Sequence, residues 1–243
     1  MVSYRIEELL IVTIADLLRD RLHVAVGAAS PIPGAAALLA RERCRALRVS
    51  VLGSERHNSF TEGARELFDC AAQGRIDAFF LGGAQIDGEA NINLVGIGDY
   101  PRQTVRFPGS FGSAYLYFLV PNVILFSLPH SPRNLVRKVD FISAPGTSAE
   151  NIFRPGGPRV LLTGRCLFDF DVLKRRFRLR SLHPGETIDT VNQNTGFDFD
   201  VSDNVSVTRT PDEGELALIR GRVGTAIGET YPAFARDVLA IET

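Results

Sequence analysis

Cysteine is scarce in this sequence, and the few cysteines present exclude the sites that this residue usually builds. There are three, far apart and without a C-x-x-C pair: Cys44, Cys70 and Cys166. An odd and dispersed set fits neither a disulfide framework nor a structural zinc site. The four histidines are scattered as well, so we predict no metal site. The thiols are expected to be buried, free and in a reducing compartment.

An excess of charge and a long apolar run are also missing. The formal net charge is −1 over 243 residues, which gives no general attraction to nucleic acid or to an anionic membrane. The longest apolar stretch, residues 111–128, is divided by Pro121-Asn122, whereas a membrane span needs about 20 continuous apolar residues. Charged residues such as Glu7 and Glu8 interrupt the N-terminal apolar positions, so we expect no signal peptide. We therefore predict a soluble, cytoplasmic protein.

Helical and strand patterns alternate over the first third of the chain. This alternation is typical of a protein whose parallel strands are joined by helices with right-handed crossovers. The predicted helices and strands, in order, are Ser3–Asp20, Leu22–Val26, Ala35–Arg45, Arg48–Leu52, Gly63–Gln73 and Ile76–Leu81. We therefore predict an α/β fold with a mainly parallel sheet flanked by helices.

The rest of the chain is richer in strand patterns. The predicted elements are a strand, the two strands of a hairpin and a helix: Leu135–Ser143, Val160–Phe170, Phe177–Leu182 and Asp212–Arg222. The hairpin is a β-rich extension in the C-terminal third. Because there is neither an internal repeat nor a low-complexity linker, residues 1–243 are predicted to form a single domain, with a possible internal joint near 154–158.

The stretch between Asp77 and Ala114 combines a buried-strand pattern with glycines and amides. Its apolar run stops at Gly82-Gly83. Four polar residues then follow, namely Gln85, Asp87, Asn91 and Asn93, and further glycines come at positions 96, 98, 109 and 112. Glycine lets backbone N–H groups approach a ligand, and ligands of α/β proteins bind beyond the carboxyl ends of strands. We call residues 82–112 the glycine edge; it either binds a ligand or forms tight turns that the amides cap.

Short blocks in and around the glycine edge occur in a recognisable order. Four lie at this edge: G-G-A-Q-I-D (82–87), N-I-N (91–93), I-G-D-Y (97–100) and F-P-G-S-F-G-S (107–113). Four lie outside it: V-T-I-A (12–15), V-G (26–27), V-D-F-I-S-A-P-G (139–146) and N-T-G-F-D-F-D-V (194–201). Together they resemble the B (beta) subunit of class I CoA-transferases, of the glutaconate type above all. The resemblance covers most of the chain and implies the CoA-transferase fold.

The resemblance implies covalent catalysis by a glutamate. In this family the B (beta) subunit carries that glutamate just after a strand, and Glu55, in L-G-S-E-R-H-N, is the carboxylate at this location. It would attack an acyl-CoA thioester to form an acyl-glutamyl anhydride. Free CoA thiolate would then give a glutamyl-CoA thioester, which passes CoA to a second acid. The alternative interpretation is a surface glutamate paired with Arg56 or His57.

The resemblance also implies a ligand and a partner. CoA would be a substrate, with no cofactor bound tightly, and its contacts would be Gly82, Gly83, Gln85, Asn91, Gly109 and Gly112. The small residues from Gly109 to Ser113 would let the pantetheine arm pass close to the backbone. An A (alpha) subunit would supply the other half of the active site. We therefore expect a heterodimer or heterotetramer, inactive without that subunit.

Two other functions stay open. Some hydrolases of the same fold, which act on CoA esters of steroid degradation, carry the essential glutamate on the alpha subunit. This chain would then be the beta subunit of an acyl-CoA hydrolase. The non-enzyme alternative is a sugar-phosphate or nucleotide-sensing module, since folds of this type also host those. The blocks at the glycine edge argue against that module, because they lie where a ligand binds.

Two further features have a functional and a structural interpretation. His57 invites a general-base role because the unperturbed pKa of histidine is about 6.5, but a loop histidine bonded to the backbone is the simpler interpretation. The basic cluster Lys174–Arg180 alternates charged with apolar residues, as a half-exposed hairpin strand does. Asp169 and Asp171 are its predicted partners, and contact with CoA phosphates is the alternative.

Overall fold

The structure is a computed structural model that describes residues 3–241. Helices and strands alternate along this part of the chain. In chain order they are α1 (Ile6–Leu17), β1 (His23–Val26), α2 (Pro31–Arg43), β2 (Arg48–Val51), α3 (Ala64–Ala72), β3 (Ala78–Leu81), β4 (Gln85–Ile86), β5 (Ile92–Asn93), β6 (Gly96–Ile97), β7 (Val105–Arg106), α4 (Ser113–Leu119), β8 (Asn122–Ser127), β9 (Pro158–Thr163), β10 (Cys166–Asp171), β11 (Arg176–Leu182), α5 (Ile188–Asn194), β12 (Asp200–Val207), α6 (Glu213–Leu218), α7 (Gly224–Gly228) and α8 (Pro232–Asp237). The described residues divide into two compact units. The first contains the residues up to Phe80 and those from Arg209 onward, and the second is Leu81–Thr208. The predicted joint near 154–158 lies inside the second unit, and the single-domain prediction stays a prediction.

Parallel strands form the centre of the first unit. β1 pairs with β2 along its whole length, from His23↔Arg48 to Val26↔Val51, and pairs with β3 at Val24 on its other side. Every residue of β1 is buried, as expected of a strand that is covered on both faces. The helix α2 joins β1 to β2 and contacts α1 as well as both strands. Its first residue is Pro31, a position where the missing N–H has no cost.

Ion pairs fix the C-terminal segment to α1 and α2 within the first unit. Glu8 is 1% exposed, and its carboxylate lies 2.6 Å from Nε of Arg220. Asp16 of α1 accepts hydrogen bonds from Arg209, and Arg209 also binds Glu215 at 2.7 Å. Arg43 of α2 pairs with the same two carboxylates. A network of shared arginines holds its geometry better than an isolated surface pair does.

Five strands form a mixed sheet in the second unit, in the order β8-β9-β10-β11-β12. β8 is parallel to β9 and β11 is parallel to β12, whereas β10 is antiparallel to both of its neighbours. Aromatic rings pack against one face of β10 and β11, with centroids 5.0–6.3 Å apart: Phe168, Phe170, Phe177, Phe197 and Phe199. The predicted α/β fold, with its mainly parallel strands, flanking helices and C-terminal hairpin, is confirmed.

Three predicted elements differ from the observed ones. The predicted strand Val160–Phe170 is two antiparallel strands that turn at Gly164, where a Cβ would lie 2.5 Å from the carbonyl oxygen of Leu128. Leu135–Ser143 is not a strand, because its amides at Val139 and Asp140 donate to side chains rather than to a neighbouring strand. The helix predicted for Asp212–Arg222 is α6 as far as Leu218, and a π-helical turn, Ile219–Val223, continues it with a kink at Gly221 (φ −119°, ψ −107°).

The apolar stretch 111–128 is divided as predicted. Its first half contains the helix α4 and its second half contains the buried strand β8, with Pro121 between them. Across residues 3–241, every helix is too short or too polar to cross a membrane.

A buried histidine in the second unit is held in its neutral form. His130 is 7% exposed, and its ring nitrogens lie 2.7 Å from Oγ1 of Thr163 and 2.9 Å from Oγ1 of Thr195. The hydroxyl of Thr195 already donates to the carbonyl oxygen of Val191 at 2.7 Å, so the neutral ring donates from Nε2 to Thr195 and accepts at Nδ1 from the hydroxyl of Thr163. Burial lowers the pKa of His130 to about 4, with a smaller contribution from the positive charge of Arg165. Folding therefore opposes protonation of this ring.

The stability of the protein should fall between pH 6.5 and pH 4 because of His130. Above about pH 6.5 the ring is neutral in the folded and the unfolded state. Between about 6.5 and 4, only the unfolded chain binds the proton, so the free energy of unfolding drops, by a total on the order of 3 kcal/mol. Below about pH 4 both states are protonated and this loss stops. Replacing His130 by Gln should reduce the difference between the unfolding free energies measured in urea at pH 7 and at pH 4.5.

The control is Ile124→Val, a core substitution in β8 that introduces no titrating group. It should lower the unfolding free energy by about 1 kcal/mol equally at both pH values. If His130→Gln retained the full wild-type pH difference, the acid sensitivity would come from other groups.

Candidate active site

The loop after β2 is a closed turn with Glu55 at its tip. The amide of Val51 donates to the carbonyl oxygen of His57 at 2.8 Å, and the amide of Ser54 donates to the carbonyl oxygen of Val51 at 3.1 Å. The amide of His57 donates to Oγ of Ser54 at 2.8 Å. Gly53 permits the turn because its φ is +87°, a value that favours glycine. The loop therefore has a fixed backbone at the end of a buried strand.

The side chain of Glu55 is exposed and unpaired within residues 3–241. Its carboxylate forms no hydrogen bond or ion pair there, so the alternative of a pair with Arg56 or His57 is not what the structure contains. Its backbone N–H, by contrast, donates a 2.6 Å hydrogen bond to a carboxylate of the same unit. A fixed backbone below a free carboxylate suits a nucleophile that must meet an incoming carbonyl carbon.

His57 stabilises the loop through two hydrogen bonds of its backbone. Both its N–H and its carbonyl oxygen bond inside the turn, as the simpler interpretation predicted. Its Nδ1 lies 3.5 Å from the guanidinium of Arg41. Burial lowers the pKa of His57, and the positive charge of Arg41 lowers it further. The ring is therefore neutral at pH 7.

The amides of the glycine edge form a saturated network in the second unit. β4 and β5 pair as a hairpin with Gln85 opposite Asn93. Oε1 of Gln85 accepts from Nδ2 of Asn93 at 2.7 Å and from the amide of Asp140 at 3.0 Å. Oδ1 of Asn93 accepts the amides of Val95 and Gly96. Both side chains are buried, so they fix the backbone of this hairpin.

Asp87 and Asn91 close the tip of the same hairpin. The carboxylate of Asp87 accepts from the amides of Glu89 and Asn91 at 3.1 and 3.0 Å, and from Nδ2 of Asn91 at 3.2 Å. Oδ1 of Asn91 accepts the amide of Gly146 at 3.1 Å. These contacts are those of turn-capping residues. A direct contact of Gln85 or Asn91 with CoA stays a prediction.

Some glycines of this edge are closely packed, and others are exposed. A Cβ on Gly83 would lie 2.5 Å from Cγ2 of Ile92, and one on Gly82 would lie 3.0 Å from the carbonyl oxygen of Phe126, so both positions are closely packed. Gly109 has a φ of +108° and no atom within 4 Å of a Cβ position. Gly112 directly precedes α4 with φ −92° and ψ 15°. Gly109 thus lies in an open part of the edge, and Gly112 is partly exposed.

The structure brings the six predicted CoA contacts into the second unit. Gly82, Gly83, Gln85 and Asn91 surround the β4–β5 hairpin, whereas Gly109 and Gly112 lie before α4. The hydroxyl of Tyr117 in α4 donates to the carbonyl oxygen of Ala90 at 2.9 Å, which joins the helix to the hairpin. Glu55 belongs to the first unit.

Comparison with known proteins identifies the family. The model of the coenzyme A transferase family matches residues 2–194. This chain belongs to the coenzyme A transferase family.

Two B subunits of CoA-transferases are similar in sequence to this chain. The B subunit of a 3-oxoadipate CoA-transferase from Pseudomonas knackmussii is 37% identical over 153 residues, which is 60% of this chain and 58% of that protein. The B subunit of a glutaconate CoA-transferase from Acidaminococcus fermentans is 34% identical over 151 residues, 59% of this chain and 56% of that protein. The matched segments therefore span a little over half the length of each relative. The crystal structure of the Acidaminococcus fermentans enzyme has the same fold, with a TM-score of 0.82, 24% identity and 99% of each chain covered.

A relative with a different activity is similar to the same extent. A cholesterol ring-cleaving hydrolase IpdB subunit from Rhodococcus jostii is 32% identical over 160 residues, 64% of this chain and 62% of that protein. The crystal structure of Rhodococcus jostii IpdAB has a TM-score of 0.80 at 26% identity, and the match covers 90% of this chain and 94% of that one. The coenzyme A transferase fold thus carries more than one reaction.

One residue beside the loop of Glu55 could not be found from the sequence. Oε1 of Glu229 accepts the amide of Glu55, and Oε2 accepts the hydroxyl of Ser54, both at 2.6 Å. Glu229 directly follows α7 and is 174 positions away from Glu55. It lies outside the segment that matches the coenzyme A transferase family, and no motif marks it.

The charged residues of the basic cluster Lys174–Arg180 have acidic partners within this chain. Arg178 and Arg180 pair with Asp169, and Arg176 pairs with Asp200, so the basic cluster is the solvated hairpin strand that was predicted. Asp171, the second predicted partner, instead accepts backbone amides of the hairpin turn. In the described part of the chain, residues 3–241, no three His, Cys, Asp or Glu side chains are grouped as a metal site requires.

Substituting Gly112 by Ala tests the prediction that this part of the glycine edge contacts CoA. The backbone of Gly112 is open to any residue, so alanine should not destabilise the fold and should restrict the unfolded chain slightly. If CoA passes close to this backbone, the added methyl group should weaken the binding of an acyl-CoA by about tenfold, or about 1.4 kcal/mol. Gly109 is unsuitable for this test because its positive φ would strain alanine.

Calorimetric titration and the melting temperature of each variant provide the two measurements. Gly214→Ala in the exposed first turn of α6 is the matched control, since its Cβ would meet only Oδ1 of Asp212 at 3.4 Å. Unchanged affinity of Gly112→Ala with an unchanged melting temperature would show that Gly112 serves the turn alone.

Proposed function

We propose that this chain is the B (beta) subunit of a heteromeric CoA-transferase and that Glu55 is its nucleophile. The observation that carries this proposal is the geometry of the loop after β2, which holds the backbone of Glu55 and leaves its carboxylate free. The names of the two transferase relatives support the reaction class. The nucleotide- or sugar-phosphate-sensing alternative loses its basis, because the family match includes the segments that would bind the ligand.

The proposed reaction moves CoA through two covalent intermediates on Glu55. The carboxylate attacks the thioester carbonyl of an acyl-CoA, and the CoA thiolate leaves, which gives an acyl-glutamyl anhydride. The thiolate then attacks the glutamyl carbonyl and releases the first acid as a carboxylate. The carboxylate of the second acid attacks this thioester, and the same two steps in reverse give the new acyl-CoA and free Glu55. Exclusion of water from the intermediates preserves the thioester energy.

CoA is a substrate in this scheme, with its predicted contacts on the glycine edge. Gly109 and Gly112 are the best placed of the six residues, since a Cβ position on Gly109 has no atom within 4 Å and Gly112 is partly exposed. Gly82, Gly83, Gln85 and Asn91 would act mainly by holding the backbone of the β4–β5 hairpin in shape, because their surroundings are already filled or hydrogen-bonded. No tightly bound cofactor is required by the chemistry.

An A (alpha) subunit is the proposed partner. Both transferase relatives are named as the B subunits of their enzymes. The second unit exposes large aromatic side chains that a partner would bury: Tyr100 at 61%, Phe111 at 80% and Phe153 at 87%. Exposed aromatic residues are enriched where proteins bind one another. Of the three free cysteines only Cys166 is buried, so the expectation of buried thiols is wrong for the exposed Cys44 and the partly exposed Cys70. Exposed free thiols are typical of a reducing compartment, so we place the complex in the cytoplasm.

A hydrolase is the second candidate. The 32% identity to a subunit of a cholesterol ring-cleaving hydrolase favours it. The carboxylate of Glu55 would then be dispensable, and the essential glutamate would belong to the alpha subunit. The two candidates differ in whether a thioester forms on Glu55.

The isolated chain should be inactive and should form a complex with its alpha subunit. Obligate interfaces commonly bury about 2,000 Å² or more, so the complex should persist through size-exclusion chromatography at low concentration. Transfer of CoA should appear only in the co-expressed pair. Activity of this chain as a monomer would contradict the proposal.

Glu55→Gln should abolish transfer in the complex. Gln keeps the size of the side chain but cannot act as the anionic nucleophile, so kcat should fall about 10⁴-fold or more. Incubation of the wild-type complex with an acyl-CoA, followed by borohydride reduction, should convert Glu55 into an alcohol that mass spectrometry detects. Glu62→Gln, an exposed glutamate before α3, is the matched control and should keep normal turnover. Near-normal activity of Glu55→Gln would move the nucleophile to another residue and favour the hydrolase.

A further inference from the structure

The loop of Glu55 depends on the C-terminal segment of the same unit. Two of its polar hydrogens, the amide of Glu55 and the hydroxyl of Ser54, are both accepted by the carboxylate of Glu229 at 2.6 Å. These two bonds attach the tip of the loop to the C-terminal segment. That segment lies outside the family match, which covers residues 2–194. We infer that Glu229 is a positioning residue that orients Glu55 for the proposed transfer.

The chemistry of the two donors explains why a carboxylate occupies this position. Oγ of Ser54 accepts the amide of His57 inside the turn and donates its own proton outside the turn, to Oε2 of Glu229. The amide of Glu55 is a donor as well. A carboxylate is the side chain that offers two acceptor atoms and no donor, and hydrogen bonds to it are charge-assisted. These same hydrogen bonds, that from Ser54 above all, lower the pKa of Glu229, so the side chain is ionised at pH 7.

Glu229 is itself held from both sides. Ile227 at the end of α7 packs on α2, where a Cβ on Gly34 would lie 2.7 Å from Cδ1 of Ile227. The amides of Thr230 and Tyr231 both donate to the carbonyl oxygen of Ile227. The hydroxyl of Tyr231 accepts the amide of Ser30 in the loop after β1. The segment 229–231 thus binds the loops that follow two adjacent parallel strands.

The expected consequence is a loss of orientation without a loss of binding. When Glu229 is removed, the turn keeps its internal hydrogen bonds, but its tip loses both external ones. A displacement of about 1 Å at a reacting group can cost about 10² in rate. This inference rests on the proposed role of Glu55, and it extends that role to a residue outside the family match.

The test compares Glu229→Ala, Glu229→Gln and Ser54→Ala in the complex with the alpha subunit. Glu229→Ala should lower kcat by about 10²-fold and leave KM for the acyl-CoA nearly unchanged. Glu229→Gln should recover part of this loss, because its amide oxygen can still accept the amide of Glu55, although its NH2 group cannot accept the proton of Ser54. Ser54→Ala should fall between the two. Glu213→Gln, an exposed carboxylate of α6 in the same C-terminal segment, is the matched control and should behave as wild type.

Amide hydrogen exchange gives a readout that does not depend on activity or on any variant being stable. In the wild-type complex the amide of Glu55 should exchange more slowly than that of Arg56, which bonds to no group among residues 3–241. Glu229→Ala should remove this difference.

The other outcomes would contradict either the role of Glu229 or the proposed function. Equal exchange of the two amides in the wild type, or a wild-type kcat for Glu229→Ala, would overturn the inference. If Gln were as inactive as Ala, the charge of Glu229 and not its hydrogen bonds would act, and the positioning role would be wrong. If the wild-type complex transferred no CoA, the proposed function would fail, whereas the exchange measurement would still decide whether Glu229 holds the loop.

Discussion

Where a buried parallel strand ends, the backbone and hydroxyl donors of the following turn need acceptors. This requirement determines how the loops of this protein are built. β1 is buried along its whole length and β2 from Val49 to Val51, so the chain must leave them in tight turns whose N–H groups have no strand partner. In the first unit a distant carboxylate supplies the missing acceptors at Ser54 and Glu55. The ion pairs of Asp16 and Glu215 with Arg43 and Arg209 keep that C-terminal segment in place.

The second unit solves the same problem with local side chains. Gln85, Asp87, Asn91 and Asn93 are buried and bonded mainly to the backbone around them. Each would be costly to bury without these partners, by about 1–3 kcal/mol for each unmade hydrogen bond. The polar residues of this edge therefore build a rigid frame, beside the open position of Gly109 and the partly exposed Gly112. A frame of this kind is what allows backbone atoms to be presented to a ligand.

The sequence predicts the parts of this arrangement that local patterns control. The strands β1 to β3 are short apolar runs, and the position of Glu55 after β2 follows from them. The strand predicted for Leu135–Ser143 was wrong because the backbone amides of Val139 and Asp140 bond to the side chains of Asp87 and Gln85, and the side-chain pattern of the segment does not reveal these bonds. Glu229 was missed because its partner Glu55 is 174 positions away, and a single glutamate after a helix gives no local signal. The close packing of Gly83 against Ile92 likewise appears only in three dimensions.

Relatives with transferase and hydrolase names share this fold at similar identity, so the frame does not determine the reaction. The short loop after β2 directs the side chains of Glu55 and Arg56 to solvent and contributes little to the core. A loop of this kind tolerates substitution at its tip only if its backbone is held independently of the side chain there. Glu229 holds the backbone through the amide of Glu55, which any residue except proline would supply. In this chain the attachment therefore fixes the backbone of the loop whichever side chain occupies position 55.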